Sequence, residues 1–128
     1  MIRTKEAYCS FEVAKLLKEK GFDAQCRAAY TDYGQLFTTQ IQQYITNIIC
    51  SKGNLWECIA PTHQMVMKWL REIYGIDIVI EISDPSVNDR KYYCVIWDKN
   101  NDSYILDLFD SYEDAVEEAL KYCLDNLI

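Results

Sequence analysis

The hydrophobic period of this chain changes at Gly75, and this change constrains its fold more than any other feature. Before Gly75, apolar residues recur at helical spacing over Thr62 to Tyr74. After Gly75, isoleucines alternate with other residues over Ile76 to Ile82, which is the spacing of a strand with one apolar face. A helix followed at once by a strand predicts a mixed fold. The predicted apolar face of the helix consists of Met65, Val66, Trp69, Leu70 and Ile73.

Two further strands and a last helix follow. Lys91 to Trp97 and Ser103 to Phe109 are separated by the short polar loop Asp98 to Asp102, so we predict a three-stranded antiparallel meander. The middle strand is apolar or aromatic on both faces, and we expect both faces to be covered. Ser111 is the predicted N-cap of the last helix. The predicted inner stripe of that helix is Tyr112, Ala115, Val116, Ala119, Leu120, Cys123 and Leu127.

The first part of the chain predicts a helix and a β-hairpin. The helix extends over Ser10 to Lys20, with Ser10 as its N-cap and Gly21 just after its end. The hairpin falls within residues 25–38, around a Thr-Asp-Tyr-Gly turn in which Gly34 supplies the positive φ.

The segment between this hairpin and the central helix is ambiguous. From Thr39 to Cys50, isoleucines at helical spacing conflict with the preference of isoleucine and threonine for strands. Leu55 to Ile59 is interpreted as a short apolar approach to the next helix. The predicted order of elements is α, β-hairpin, α, three-stranded antiparallel meander, α.

Length and composition fit one domain. The chain has 128 residues, of which 50% are hydrophobic and 26% charged, so it can bury its own core. We therefore predict a single α+β domain over residues 1–128. No apolar run approaches the ~20 residues of a membrane span, and the N-terminus lacks the apolar segment of a signal peptide. These features predict a cytoplasmic protein that does not bind membranes.

The net charge of −7 is concentrated in one segment. Residues 98–118 hold eight acids against Lys99, and the rest of the chain sums to zero. Acidic surfaces repel phosphate backbones, so direct nucleic-acid binding is disfavoured. Our leading interpretation is that the acids of this segment form a solvent-exposed helix face. An alternative is an acidic decoy that inhibits a basic nucleic-acid-binding host protein.

Six cysteines and one histidine bear on metal and thiol chemistry. Cys50, Cys58 and His63 form the tightest cluster, but their spacings differ from those of zinc sites, so we predict neither a metal nor a cofactor. His63 is interpreted as a partly buried structural residue. A second alternative function is a cysteine-dependent hydrolase with Cys58 as nucleophile and His63 as base. Without an export signal the cysteines are expected to be reduced, and Cys94 and Cys123 to lie in the core.

Aromatic residues carry the leading functional hypothesis. The chain has 3 Trp, 10 Tyr and 4 Phe but no recognisable catalytic motif, and Tyr and Trp anchor many protein interfaces. We therefore expect a non-catalytic protein-interaction module that binds a protein partner or forms a homodimer. Phe11, Trp69 and Phe109 are expected in the core. Candidates for an exposed patch are Tyr30, Tyr33, Tyr92, Tyr93, Trp97 and Tyr104. The predicted interaction residues are Tyr93, Val95, Trp97 and Tyr104.

Three stretches support a resemblance. They are EVAKLLKEKGFD at Glu12 to Asp23, APTHQMVMKWLREIYGIDIVI at Ala60 to Ile80, and SYEDAVEEAL at Ser111 to Leu120. Together they resemble a group of small uncharacterised proteins of gut Bacteroidales and their prophages and mobile elements. The region Gly34 to Cys58 departs from that pattern, and Met65 stands where the group has an acid. The resemblance implies a mobile-element origin and the same order of elements, and it implies no activity.

Overall fold

A computed structural model describes residues 6–38, 44–53, 55–84 and 90–128. The fold is α+β, as the order of elements in the sequence predicts. Internal contacts divide the chain into two units, residues 1–62 and 63–128, and the described part of each contains a three-stranded sheet. Within the described residues, no helix is both long and apolar enough to cross a membrane.

The first helix, α1, spans Phe11–Glu19 and begins and ends as predicted. Ser10 Oγ accepts a hydrogen bond from the amide of Val13 at 3.2 Å, which satisfies one of the donors that the first turn leaves without a partner. Gly21 follows the helix with a φ of +83°. The buried face of α1 consists of Val13, Ala14 and Leu17.

The predicted hairpin is formed by β1 (Ala29–Thr31) and β2 (Leu36–Phe37), which pair antiparallel. Gly34 has a φ of +79°, and its amide donates to the carbonyl of Thr31 at 2.9 Å. A Cβ at position 34 would lie 2.8 Å from the ring of Phe11. The turn therefore requires glycine both for its backbone conformation and for the close approach of that ring.

A third strand, β3 (Trp56–Ile59), pairs antiparallel with β1 and completes a sheet with the order β2-β1-β3. The interpretation of Leu55 to Ile59 as an approach to the next helix missed this strand. Its four residues are too few to show an alternating pattern, and its pairing partner is distant in sequence.

The ambiguous segment contains a single helical turn, α2 (Asn47–Cys50), which begins at the N-cap Thr46. Asn47 is buried and connects this turn to two other segments. Its Nδ2 donates to the carbonyl of Phe22 at 2.8 Å, and its Oδ1 accepts from the amide of Ile59 at 3.0 Å. Residues 39–43 of the segment lie outside the described part of the chain.

Small side chains and one tyrosine form a buried cluster of this unit, Ala14, Ala28, Tyr30, Cys58 and Ala60. Tyr30 was predicted to be exposed, and the structure corrects this: its hydroxyl donates to the carbonyl of Cys9 at 2.5 Å in a buried position. Phe11 packs against the cluster, with its ring centroid 5.3 Å from that of Tyr30. The expectation that Phe11 contributes to the core is therefore met.

The second unit begins with α3 (His63–Tyr74) and continues with β4 (Asp77–Ile82), β5 (Tyr92–Trp97) and β6 (Ser103–Phe109). The three strands form the predicted antiparallel meander in the order β4-β5-β6. Helix α4 (Tyr112–Asn126) follows, and the Ser111 Oγ accepts from the amide of Asp114 at 3.0 Å, as a predicted N-cap should.

The buried face of α3 differs from the predicted one, and consists of His63, Val66, Met67 and Leu70. Trp69 is half-buried and packs edge-to-face on Tyr74, with ring centroids 5.1 Å apart. Ile73 is 65% exposed. The prediction that Trp69 lies at the centre of the buried stripe is therefore wrong, because the helix is rotated toward His63 and Met67.

Helix α4 packs against all three strands of its sheet. Its buried residues are Ala115, Val116, Ala119, Leu120, Cys123 and Leu124. Leu124 takes the place predicted for Leu127, and Tyr112 lies at the exposed margin, where its ring packs edge-to-face on Tyr92. Small residues on α4 let the helix approach the sheet closely, and this covers one face of the sheet.

Candidate functional site

The register of the second sheet assigns every side chain to one of two faces. Ile80 of β4 lies beside Cys94 of β5, which in turn lies beside Leu106 of β6. Cys94 and Ile96 are fully buried in the face that α4 covers, which we call the inner face. Because successive residues of a strand point to opposite sides, the residues between these belong to the other face, which we call the outer face.

An apolar row crosses the outer face. Val79 pairs with Val95 and Val95 pairs with Ile105, so one apolar side chain from each strand lies side by side. Trp97 lies two residues along β5 on the same face, paired with Asp77 on one side and Ser103 on the other. The register places four apolar side chains on the outer face, Val79, Val95, Trp97 and Ile105.

These side chains are accessible to a partner. Val79 is 40% exposed, Trp97 43% and Ile105 64%, while Val95 in the centre is half-buried between its neighbours. The expectation that both faces of the middle strand are covered is therefore wrong for the outer face. Contiguous exposed apolar side chains on a sheet are characteristic of a binding surface rather than of a solvated one.

The structure brings together three of the four predicted interaction residues. Tyr93, Val95 and Trp97 share the outer face of β5, since they lie at alternate positions of one strand. Tyr104 does not join them. It pairs with Ile96, its ring packs on Tyr122 of α4 at 5.4 Å, and it therefore belongs to the inner face.

Both tyrosine hydroxyls donate to carboxylates. Tyr93 donates to Glu81 at 2.6 Å, and Tyr104 donates to Asp98 at 3.1 Å. Each hydrogen bond to a carboxylate stabilises the protonated phenol, so the pKa of Tyr93 and the pKa of Tyr104 are raised. The Tyr93–Glu81 bond fixes the Tyr93 ring beside the apolar row.

Sequence reasoning missed Val79 and Ile105. The alternation of β4 marked the isoleucines as its apolar face, and Val79 stood among the residues opposite to them. Counting alternate residues outward from Val95 across both neighbouring strands would have found both residues, given the correct register. The strand pattern therefore contained the information that places Val79 and Ile105 beside Val95, but using it required the register of the three strands.

Acidic side chains flank the apolar row. Asp77 and Glu81 lie at the two ends of β4 on the outer face, and both are exposed. Asp107 is exposed at the irregularity in the β5–β6 pairing, between the Cys94–Leu106 and Tyr92–Phe109 pairs. The surface is therefore an apolar strip with a negatively charged margin.

Cys58 lacks the properties of a catalytic nucleophile. Its side chain is fully buried in β3, and burial raises the pKa of the Cys58 thiol to about 12. The thiolate, which is the nucleophilic form, is therefore scarcely populated at neutral pH. This geometry gives no support to the hydrolase alternative.

His63 is engaged within its own unit. It is almost fully buried at the start of α3, and its Nε2 donates to the Glu117 Oε1 of α4 at 2.8 Å. A buried imidazole held by a carboxylate on a neighbouring helix matches the structural interpretation of His63 made from the sequence.

Several acids of the segment 98–118 accept hydrogen bonds or form ion pairs within the protein. Asp98 accepts from the amides of Asn100 and Asp102, at 2.8 and 3.1 Å, and so organises the β5–β6 loop. Asp110 is paired with Lys91, which lowers the pKa of that carboxyl group, and Glu117 is paired with His63. Internal roles for these acids weaken the decoy alternative.

Comparison of the chain with protein-family models, with curated proteins and with solved structures finds no match.

Proposed function

We propose that this chain is a non-catalytic protein-interaction module and that the outer face of the β4-β5-β6 sheet is its binding surface. The observation that carries the proposal is the exposed row of Val79, Val95 and Ile105 with Trp97 beside it. A tryptophan and branched aliphatic side chains on a rigid sheet supply apolar area at little entropic cost, because the sheet already fixes them. Such residues dominate the energy of many interfaces.

The chemistry of the surface specifies the kind of partner. Asp77, Glu81 and Asp107 give its margin a negative charge, so the complementary surface is an apolar strip bordered by lysine or arginine. The apolar centre supplies affinity, and the charged margin speeds association. Added salt should therefore slow association more than it weakens the complex.

Site-specific photocrosslinking in the cells of origin tests the binding surface. A benzophenone-bearing residue replaces Ile105 on the outer face in one variant and Tyr33 in the other. Tyr33 is the matched control because it is 92% exposed in the β1–β2 turn, outside this sheet. We expect a discrete crosslinked partner from position 105 and none of that mass from position 33.

Truncation variants complete the test. Trp97→Ala and Ile105→Ser should each weaken binding of the crosslinked partner by roughly 10-fold or more, as anchor residues of an interface do. Tyr33→Ala should leave that affinity unchanged. All three positions are substantially exposed, so the unfolding midpoints in urea should change little. Equal capture from positions 33 and 105, or full affinity of Trp97→Ala and Ile105→Ser together, would contradict the proposal.

A further inference from the structure

The backbone hydrogen bonds of β4 show which of its groups point away from the sheet. The amide of Ser83 donates to the carbonyl of Lys91 at 2.9 Å, next to the Ile82–Tyr92 pair. In antiparallel pairs, bonded and non-bonded positions alternate along the strand. Asp77, Val79 and Glu81 are therefore bonded toward β5. The groups directed away from β5 are the N–H and C=O of Ile78, Ile80 and Ile82.

These outward groups lie on an edge strand of the described sheet. In the sheet that the described residues form, β4 pairs with β5 on one side and with no strand on the other. The opposite edge, β6, is interrupted by an irregularity near Asp107, which is a common way to prevent further pairing. β4 has six regularly paired residues, and its sequence DIVIEI contains no proline and no lysine. It therefore retains the geometry needed to accept another strand.

We infer that β4 pairs antiparallel with β4 of a second copy of this chain, with the two-fold axis at Ile80. Registers centred on a residue of β4 bring the outward groups of both copies together and keep both outer faces on the same side, and those centred on Val79 and on Ile80 pair the most residues of the strand. A register centred on Val79 places Asp77 directly opposite Glu81 twice, which is unfavourable. The register centred on Ile80 places Ile78 opposite Ile82 and Val79 opposite Glu81, so no like charges face each other.

Pairing in this register has a consequence beyond the proposed function. The two three-stranded sheets become one continuous sheet, and the two outer faces become one surface that presents the apolar row twice. The interface is small, because each copy contributes one six-residue edge. We therefore expect a reversible dimer with a dissociation constant in the micromolar range.

Opposite charges at position 79 test both the dimer and its register. In the register centred on Ile80, V79K faces Glu81 of the second copy and V79E repels it, although both variants lose the same valine. Sedimentation velocity over a concentration series should show V79K dimerising roughly 2- to 30-fold more tightly than V79E does, because two symmetric pairs contribute. Tyr33→Lys, in the exposed β1–β2 turn outside this sheet, is the charge control and should leave dimerisation unchanged.

Amide hydrogen exchange provides a second measurement on the unmodified chain. The amides of Ile78, Ile80 and Ile82 should exchange more slowly as protein concentration rises, while those of Val79 and Glu81 are protected by β5 at every concentration. A monomer at several hundred micromolar would overturn the inference. Equal weakening by V79K and V79E would overturn the register, because Val79 would then face itself. Both readouts are independent of partner capture from position 105, so the two proposals can fail separately.

Discussion

At the scale of single residues, burial controls the chemistry of the thiols. Cys58 and Cys123 are fully buried, and burial raises the pKa of each thiol to about 12 from an ordinary value of 9.0. A folded chain with raised thiol pKa values holds protons that the unfolded chain releases. The contribution of each protonated thiol to the free energy of unfolding is complete below pH 9 and is lost as the pH rises from about 9 toward about 12.

We therefore expect the free energy of unfolding to fall with increasing pH above 9. Each of these thiols should contribute a slope of up to ~1.4 kcal/mol per pH unit. Urea unfolding at pH 8, 9, 10 and 11 measures the total slope, which includes other groups that titrate in this range. The difference between the unmodified chain and Cys58→Ala isolates one thiol. A Cys58→Ala variant with an unchanged slope would contradict the assignment.

Burial of individual aromatic residues was the part that the sequence predicted least well. Tyr30 and Tyr33 stand three residues apart in one hairpin, yet Tyr30 is buried with its hydroxyl bonded to Cys9 and Tyr33 is almost fully exposed. Composition treats the two alike. Tyr30 lies in β1, where all three residues are buried, whereas Tyr33 lies in the β1–β2 turn, so their difference depends on where the strand ends and on the tertiary packing of β1.

At the scale of elements, patterns among residues close in sequence were sufficient to predict where most helices and strands begin and end. Ser10 and Ser111 were predicted as N-caps, and both accept the expected amide hydrogen bond. β3 was missed because four residues define no period, and its assignment depends on pairing with β1. An N-cap depends on residues within one helical turn, whereas strand pairing depends on residues distant in sequence. The two N-caps could therefore be predicted and β3 could not.

The rotation of α3 gives a prediction about stability. The helix carries more apolar residues than one face can bury, so periodicity alone could not choose between Trp69 and Met67 as the inward position. Leu70 is fully buried and Trp69 is half-buried. We expect Leu70→Ala to cost ~2–5 kcal/mol and Trp69→Ala less, about 1–3 kcal/mol.

Urea denaturation at one pH measures both variants of α3. Ile73→Ala is the control, since Ile73 is mostly exposed on the same helix and its truncation should cost well under ~1 kcal/mol. A Trp69→Ala variant that loses more stability than Leu70→Ala would restore the orientation predicted from the sequence.

At the scale of the whole molecule, the sequence predicted the α+β class because three kinds of pattern agreed. Helical spacing, strand alternation and turn residues each assigned different segments, and their order left few alternatives. The outer face was predicted in part, since Tyr93, Val95 and Trp97 alternate along one strand. Val79 and Ile105 belong to other strands, and only the register places them in the same row.

The division of contacts leads to the last prediction. The sequence predicts one domain, whereas the contacts form two units that meet in the chain between Thr62 and His63. The second unit contains α3, the complete meander and α4, and His63 and Glu117 connect its two helices. We expect a fragment of residues 60–128, which retains the residues before α3, to fold by itself. At about 70 residues it should be only marginally stable.

Near-UV circular dichroism and urea denaturation test this fragment. Trp69 and Trp97 remain in it, so a native environment gives a near-UV signal, and a folded core gives a cooperative transition. Leu120→Ala in the same fragment is the control that should abolish the transition, because Leu120 is fully buried in α4. A fragment with helical far-UV signal but no cooperative transition would show instead that residues 1–59 complete the core, and that 1–128 is a single domain, as the sequence predicts.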